Sequence, residues 1–307
     1  MSVVQIPNLP VAIALNGNEP VEIVQAGQSK RTAVQNIANL GVKIIPGQVV
    51  DNIAALRGVT VQTVTPIYVQ GYSDIGDGGG GYYYGVSGAA PGTYTDNGGT
   101  IIVDGDGSSA WIYNENQVIS IKTFGAIGDG VTDDTAAFRA AWDAASALAV
   151  PDLYIPVGTY SLNSTTASFN LVEGMTVRGD GLYDSIIIWS NDLTGPTYLI
   201  GRINNAPTVE NINLKDFCVM GTHGDNGNYS QISKYPILVY HVNNVKINSV
   251  RVTKSRVMGI VTRECFDVDI DGCVINYCAR DGINTGDCNY VRMCNNHVSF
   301  CDDDGIA

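Results

Sequence analysis

The sequence predicts an all-β protein whose larger part is a parallel β-helix, and three observations predict it. First, the pairs Gly259-Ile260, Gly282-Ile283 and Gly305-Ile306 recur at one spacing, since 282 − 259 = 23 and 305 − 282 = 23. Second, other columns keep the same register: Val245, Val268 and Val291; Ile247, Ile270 and Met293; Val252, Ile275 and Val298; Ser255, Cys278 and Cys301; and Ile237 one step before Ile260. A fixed repeat of about 20–25 residues with apolar columns marks a solenoid whose repeats stack on one another. Third, apolar residues alternate within a repeat, as in Val245-x-Ile247 and Val268-x-Ile270. Period two is the strand period, so each repeat is a coil of short strands lying roughly 4.8 Å from the next. Ile237, Ile260, Ile283 and Ile306 should therefore form one interior stack, and Val245, Val268 and Val291 another.

Composition agrees. A chain of 307 residues that is 45% apolar can bury a large core. It holds 35 Gly, and 16 Tyr against 6 Phe, which suits a turn-rich β protein. The net charge is −13 with no basic segment, which argues against a nucleic-acid partner. The first basic residue is Lys30, so the N-terminus lacks the charged region of a secretory leader. Its longest apolar stretch there, Val11 to Leu15, is too short to span a membrane. The expectation is a protein made in the cytoplasm without a signal peptide. Seven cysteines, Cys218, Cys265, Cys273, Cys278, Cys288, Cys294 and Cys301, read as small apolar residues of the coil interior. Stacked pairs such as Cys265/Cys288 and Cys278/Cys301 meet the distance for a disulfide but point the same way. There is no CxxC, and His223, His241 and His297 are scattered, so no metal or cofactor is expected.

Three segments follow along the chain. Residues 1–50 lack the repeat. Pro7 to Pro10 reads as an extended arm, and Thr32 to Leu40 as a short helix opened by Thr32 and stopped at Gly41. This segment has too little apolar mass to fold alone and is expected to order against a partner. Residues 51–118 read as a small β-rich unit with strands at Pro66 to Val69, Thr100 to Val103 and around Trp111 and Tyr113. Its Gly76 to Tyr84 run lacks the Lys-Ser/Thr of a phosphate-binding loop and leads into a Tyr-rich strand, so it reads as a tight turn. Asp96-Asn97-Gly98-Gly99 is a second turn. Residues 119–307 open with Phe124-Gly-Ala-Ile-Gly-Asp-Gly-Val-Thr-Asp-Asp-Thr135 and a helix to about Ala149, with Phe138, Ala141, Trp142, Ala145 and Leu148 on one face. Thr132 or Asp133 is expected to cap it, and Pro151 to stop it. A helix here would cover the open edge of the first coil. Strands are expected near Tyr154-Ile155, Met175 to Val177, Ile186 to Ile188 and Ile212 to Leu214, with a polar loop from Thr222 to Ser230. The regular repeats stop at Ile306-Ala307 as a new coil begins, so the β-helix is expected to be incomplete.

The Phe124 to Thr135 motif, with Ile155-Pro-Val-Gly-Thr-Tyr160 after the helix, resembles the pectate-lyase-like superfamily, whose fold is a right-handed parallel β-helix. The Gly76 to Tyr84 run and Asp96 to Val103, placed just before that motif, resemble the particle-proximal domain of bacteriophage tailspikes. Leu15 to Gly27 together with Lys30-Arg31-Thr32 resembles an anchoring segment of phage tail proteins. The resemblance implies a homotrimer, a virion anchor in residues 1–50 that docks on phage tail or baseplate proteins, a connector in 51–118, and a β-helix that binds and often cleaves bacterial surface polysaccharide. The family's catalytic carboxylates commonly lie in middle or distal coils, which places the active site beyond residue 307.

Within the chain, the candidate catalytic residues are Asp281 and Asp304, which share one repeat position, with Asp302 and Asp303 beside them. Stacked carboxylates would repel and raise one pKa, as glycosidase chemistry needs. Both also precede Gly, which reads as turn chemistry. Asp129, Asp133 and Asp134 suggest calcium, but helix capping accounts for them. Tyr229, Tyr235, Tyr240 and Tyr290 offer rings to stack on sugars or to pack. Three functions fit: a depolymerising tailspike, a non-enzymatic adhesin or spike stem of the same fold, and a free-standing polysaccharide lyase or hydrolase.

Overall fold

The computed structural model describes residues 20–25, 28–33, 48–61, 66–114, 118–163, 167–189, 198–202, 207–222 and 235–307. The chain divides into two compact units, residues 1–48 and 49–307. In the first, β1 (Pro20–Gln25) and β2 (Gln28–Ala33) pair antiparallel. Thr32 does not open a helix: it lies opposite Val21 as the penultimate residue of β2. The remainder of that expected helix, and the Pro7 to Pro10 arm, fall outside the described residues.

The second unit begins with a five-stranded sheet. It comprises β3 (Gln48–Val50), β4 (Ile67–Val69), β5 (Gly81–Val86), β6 (Ile101–Asp104) and β7 (Ser109–Tyr113), in the order β3-β4-β5-β7-β6. A single-turn helix, α1 (Ile53–Arg57), packs Ile53 and Leu56 onto Ile67, Val69, Tyr83, Ile102 and Trp111. The glycine run is wrapped around the chain's own anion. The Asp77 carboxylate accepts the backbone N–H of Tyr72 at 2.9 Å, Ser73 at 2.8 Å, Asp74 at 3.0 Å and Gly79 at 2.8 Å. Burial pushes the Asp77 pKa up, but these four donors win and hold it below the usual carboxylate range. The next turn works the same way. Asp96 binds Arg57 and the N–H groups of Gly98 and Val103, while Asn97 Oδ1 accepts from Gly99, Thr100 and Ile101.

The β-helix then runs through β8 (Ile119–Ser120), β9 (Asp129–Asp133), α2 (Thr135–Ser146), β10 (Asp152–Ile155), β11 (Gly158–Leu162), β12 (Phe169–Asn170), β13 (Thr176–Gly179), β14 (Ser185–Trp189), β15 (Tyr198–Gly201), β16 (Val209–Gly221), β17 (Tyr235–Tyr240), β18 (Val242–Ser255), β19 (Ile260–Arg263), β20 (Phe266–Asp271), β21 (Val274–Cys278), β22 (Ile283–Gly286), β23 (Asn289–Cys294) and β24 (His297–Cys301). Three parallel faces result. Face I stacks β8-β10-β13-β16-β18-β20-β23; face II stacks β9-β11-β14-β16-β18-β21-β24; face III stacks β12-β15-β17-β19-β22. Strands β16 and β18 pass through both I and II, bending at Asp216 (φ 61°) and Ser249 (φ 52°). The same corner is Gly272 (φ 64°) and Asn295 (φ 55°) in the next coils, residues that mostly tolerate a left-handed backbone.

The columns read from the repeat are the pairing registers. Ile237, Ile260 and Ile283 are adjacent in face III and fully buried, and Ile306 pairs with Ile283 as the last member. The repeated glycine has a reason that turn chemistry does not give. A Cβ on Gly259 would lie 2.5 Å from the Gly282 carbonyl oxygen, and one on Gly282 would lie 2.7 Å from that of Gly305. Glycine is there because consecutive coils approach too closely for a side chain. All seven cysteines are free. Cys265 Sγ donates to the Arg263 carbonyl at 3.1 Å; the thiol of Cys288 one coil on, with burial, pushes Cys265 up, while Cys288 is lowered.

Helix α2 packs on β12: Phe138 and Trp142 lie 4.7 and 5.2 Å from the Phe169 ring, and Trp142 Nε1 donates to the Asn170 carbonyl at 2.9 Å. Leu148 lies past its end and is half-exposed. Neither Thr132 nor Asp133 is the N-cap: that position is Asp134, whose side chain makes no capping hydrogen bond, while Asp133, the last residue of β9, accepts from Thr135 N at 3.0 Å and Thr132 donates to Asp129. Asp134 turns inward, accepting from Ile127 N at 2.7 Å and Gly128 N at 3.1 Å; burial raises its pKa.

The outward sides of faces I and II differ. From β10 to β23, face I presents Asp152, Arg178, Lys215, Lys246, Asp269, Asp271 and Arg292, with Arg178 bound to Asp152 at 3.1 Å and Arg292 to Asp269. From β9 to β24, the outward positions of face II hold the exposed Asp129 and Asp133, then Thr159, Ser161, Ile186, Ile188, Cys218, Met220, Arg251, Thr253, Val274, Asn276, His297 and Ser299, of which Ser161, Cys218 and Thr253 are buried.

Candidate functional site

Face III carries the candidate site, because pairing brings together residues that are far apart in sequence. Its outward columns are set by register. Tyr198 lies beside Tyr235, and the same column continues through Met258 and Asp281 to Asp304. The next outward column runs Gly201, Leu238, Val261, Asn284, and the one beyond it Tyr240, Arg263, Gly286. The upper coils form an apolar wall in which Tyr198, Leu238, Val257, Met258 and Val261 are buried, with Tyr235 and Tyr240 packed against them. One coil below, the wall gives way to a polar cluster. Asn284 Nδ2 donates to Asp281 Oδ2 at 2.5 Å, and Arg263 Nη1 donates to Asn284 Oδ1. Asp281 is only 4% exposed. A carboxylate so placed is costly unless its oxygens are bonded, and the Asn284 amide, itself held by Arg263, supplies a bond to it. At the edge where face III turns toward face I, His241 Nε2 and Glu264 Oε2 are 2.5 Å apart.

The expected residues divide accordingly. Asp281 stands in the polar cluster. Asp304 occupies the same column one coil on and is exposed, as are Asp302 and Asp303, the latter 3.8 Å from Arg280. Tyr235 and Tyr240 belong to the apolar wall. Tyr290 is 74% exposed at another corner, edge-on to Phe266 with ring centroids 4.9 Å apart. Tyr229 lies outside the described residues. Sequence reading passed over Tyr198, Arg263 and Asn284. Tyr198 precedes Tyr235 by 37 residues, so a 23-residue period hides it; Arg263 and Asn284 sit in register but had no chemical pattern to mark them. Chemically, the face offers the partly exposed rings of Tyr235 and Tyr240, a guanidinium and an amide for polar groups, and a carboxylate for proton transfer. Among the described residues no group of three or more His, Cys, Asp or Glu is placed to hold a metal, and no helix is long and apolar enough to cross a membrane.

Comparison with known proteins gives two family matches in one chain. Residues 118–307 match "Rhamnogalacturonase A/epimerase, pectate lyase-like", and residues 49–116 match "Phage tail protein small four-stranded beta-sheet domain". The pre-neck appendage protein of Bacillus phage B103 is 30% identical over 203 residues, 58% of this chain and 23% of that protein. Full-length tailspike protein 2 from the Escherichia coli O157:H7 bacteriophage CAB120 superposes with a TM-score of 0.52 at 18% identity, covering 97% of this chain and 44% of that one. The A-module of Azotobacter vinelandii mannuronan C-5 epimerase AlgE4 gives a TM-score of 0.52 at 22% identity, covering 61% of this chain and 52% of that one. The chain thus spans well under two thirds of each of these relatives. These two structural likenesses establish the fold.

Proposed function

Because the chain belongs to the rhamnogalacturonase A/epimerase, pectate-lyase-like family and carries a phage tail sheet domain directly ahead of it, we propose that it is a phage tailspike subunit that binds and depolymerises host surface polysaccharide. The observation that carries this reading is the order of the two domains in one polypeptide: a tail-protein module at 49–116 followed at once by a β-helix at 118–307. A free-standing secreted enzyme has no use for the first module. In this reading residues 1–50 dock on the phage tail, 51–118 connect, the spike is a homotrimer, and the virion tail is its location. Glycan lies along face III, its rings against Tyr235 and Tyr240. Asp281 is the candidate acid or base, Asn284 holds it and is held in turn by Arg263, both contact substrate, and Asp304 is the candidate second carboxylate.

The test is incubation of the full protein with host surface polysaccharide. New reducing ends without an unsaturated sugar indicate hydrolysis, and an unsaturated, ultraviolet-absorbing product indicates elimination. Asp281→Asn should lower turnover by at least 100-fold while leaving glycan binding within a few-fold. Tight binding with no cleavage by the wild type would favour the adhesin reading, and absence of both would reject the proposal.

A further inference from the structure

Arg263 is held in a fixed pose that leaves half of its donors over. It stands half-buried in the outward column Tyr240, Arg263, Gly286 of face III. No ion pair among the described residues includes it, whereas Arg178 and Arg292 on face I each hold an aspartate. Acids are close by in the chain, yet each is engaged elsewhere or solvated. Glu264 meets His241 from a left-handed backbone (φ 49°), Asp281 accepts from Asn284, and Asp287 is exposed just past Gly286. The guanidinium is fixed all the same. Nη1 donates to Asn284 Oδ1 and, at 3.3 Å, to the Thr262 carbonyl. The side chain lies along Gly286 so closely that a Cβ there would be 2.6 Å from Nη1 and 2.9 Å from Cδ and Cζ. Gly286 is not among the residues with positive φ, so its backbone does not call for glycine; what the missing side chain provides is room for the guanidinium. With Nη1 engaged, Nε and Nη2 retain the parallel pair of N–H groups that fits an oxyanion bidentately.

We infer that Arg263 is a specificity residue of face III and takes an oxyanion borne by the glycan, either a sugar carboxylate or a phosphate. The inference rests on the polysaccharide reading and adds the substrate class: the glycan is acidic. Three arguments carry it. The fork is preset before any ligand arrives, because Gly286 and Asn284 fix it. It follows Tyr240 in its column and leans onto the coil of Asp281 and Asn284, so the anion it takes rides on a ring lying between Tyr240 and Asp281. The chain carries −13, so an anionic polymer meets net repulsion and its anion needs a local cation. A neutral glycan would cover the Nε and Nη2 donors without bonding them, and so would be bound less well.

The experiment measures the affinity of the full protein for host surface polysaccharide in three forms: native, carboxyl-reduced with carbodiimide and borohydride, and dephosphorylated with aqueous hydrofluoric acid. One of the two treatments should weaken wild-type binding by roughly 10–100-fold, and which one does so names the oxyanion. Arg263→Met should bind native and treated glycan alike, at the weak level. Gly286→Ala should do the same with an unchanged circular dichroism spectrum, since the atoms its Cβ meets first belong to the end of the Arg263 side chain. Arg263→Lys keeps the charge without the fork and should recover only part of the preference. A wild type that binds all three forms equally would overturn the inference and leave the polysaccharide reading intact. A preference for the native form that survives in Arg263→Met would place the anion elsewhere and overturn it too. Failure to bind any form would reject the polysaccharide reading and the inference with it. The three wild-type measurements need no variant, so they decide even if a substitution misfolds.

Discussion

The five-stranded sheet and the coils solve the same problem, holding strands in register, by opposite means. In the sheet, single polar side chains fix single turns: Asp77 gathers four backbone N–H groups, and Asp96 and Asn97 gather the next turn. In the coils, no one residue fixes the register. Columns such as Ile237, Ile260 and Ile283 do, and each member is supported by the members above and below. The difference teaches where each region is vulnerable. The sheet is sensitive at a few polar positions, and the coils at any position whose change propagates to the neighbouring coil.

The largest effect expected is from Ile260→Asp. It places an unpaired carboxylate at a position of 0% exposure between two stacked isoleucines, a cost of several kcal/mol that exceeds what the coil can absorb. Loss of the β-sheet circular dichroism signal and of soluble yield is the readout; a folded protein would mean that register is not held by the columns. Next is Gly282→Ala, whose Cβ meets Val298 Cγ1 at 2.3 Å and the Gly305 oxygen at 2.7 Å. Forcing the coils apart should cost about 1–3 kcal/mol of unfolding free energy, read from denaturant titration. Gly98→Ala, at a left-handed φ of 80° with open space around it, should cost about 1 kcal/mol.

The contrast sharpens with pH. Asp77 and Asp96 have lowered pKa values, so their stabilisation is present above the unfolded carboxylate pKa of about 3.9 and is lost as pH falls through their lower folded values. Asp134 has a raised value, so its contribution is present below about pH 3.9 and is lost as pH rises through the folded value. Melting followed on acidification should show the small sheet loosening first. Asp77→Asn should cost roughly 2 kcal/mol near neutrality and flatten that acid response; an unaltered response would remove Asp77 as its cause. The smallest effect is Tyr277→Ala. This ring stacks on Phe300 with centroids 5.0 Å apart and planes at 6°, at an exposed corner. A cost of about 0.5–1.5 kcal/mol is expected, confined to the last coils by hydrogen exchange.

Much of this fold was legible in the chain because stacking translates directly into period: residues that touch across coils sit 23 apart, and Gly259 and Gly282 mark the closest approach. The coils before Tyr235 were less legible, since their strands are joined by connections of unequal length. Helix α2 was readable from Phe138, Ala141, Trp142 and Ala145 at helical spacing, but its cap was not, because Asp133 and Asp134 are adjacent and chemically alike. Only packing turns one to the helix end and the other inward. Likewise Thr32 carries a residue type used at helix starts, and pairing with Val21 decided otherwise.

By itself the sequence determined the solenoid, the interior columns of its last coils and Asp281 as a candidate, since these depend on local alternation and on repetition. Tertiary structure alone decided that Tyr198, Tyr235, Arg263 and Asn284 share a face with Asp281, and that the backbone around the glycine run encloses Asp77. Those facts depend on which coil lies over which and on the corner at which each strand turns, and unequal connections between coils carry no trace of either along the chain.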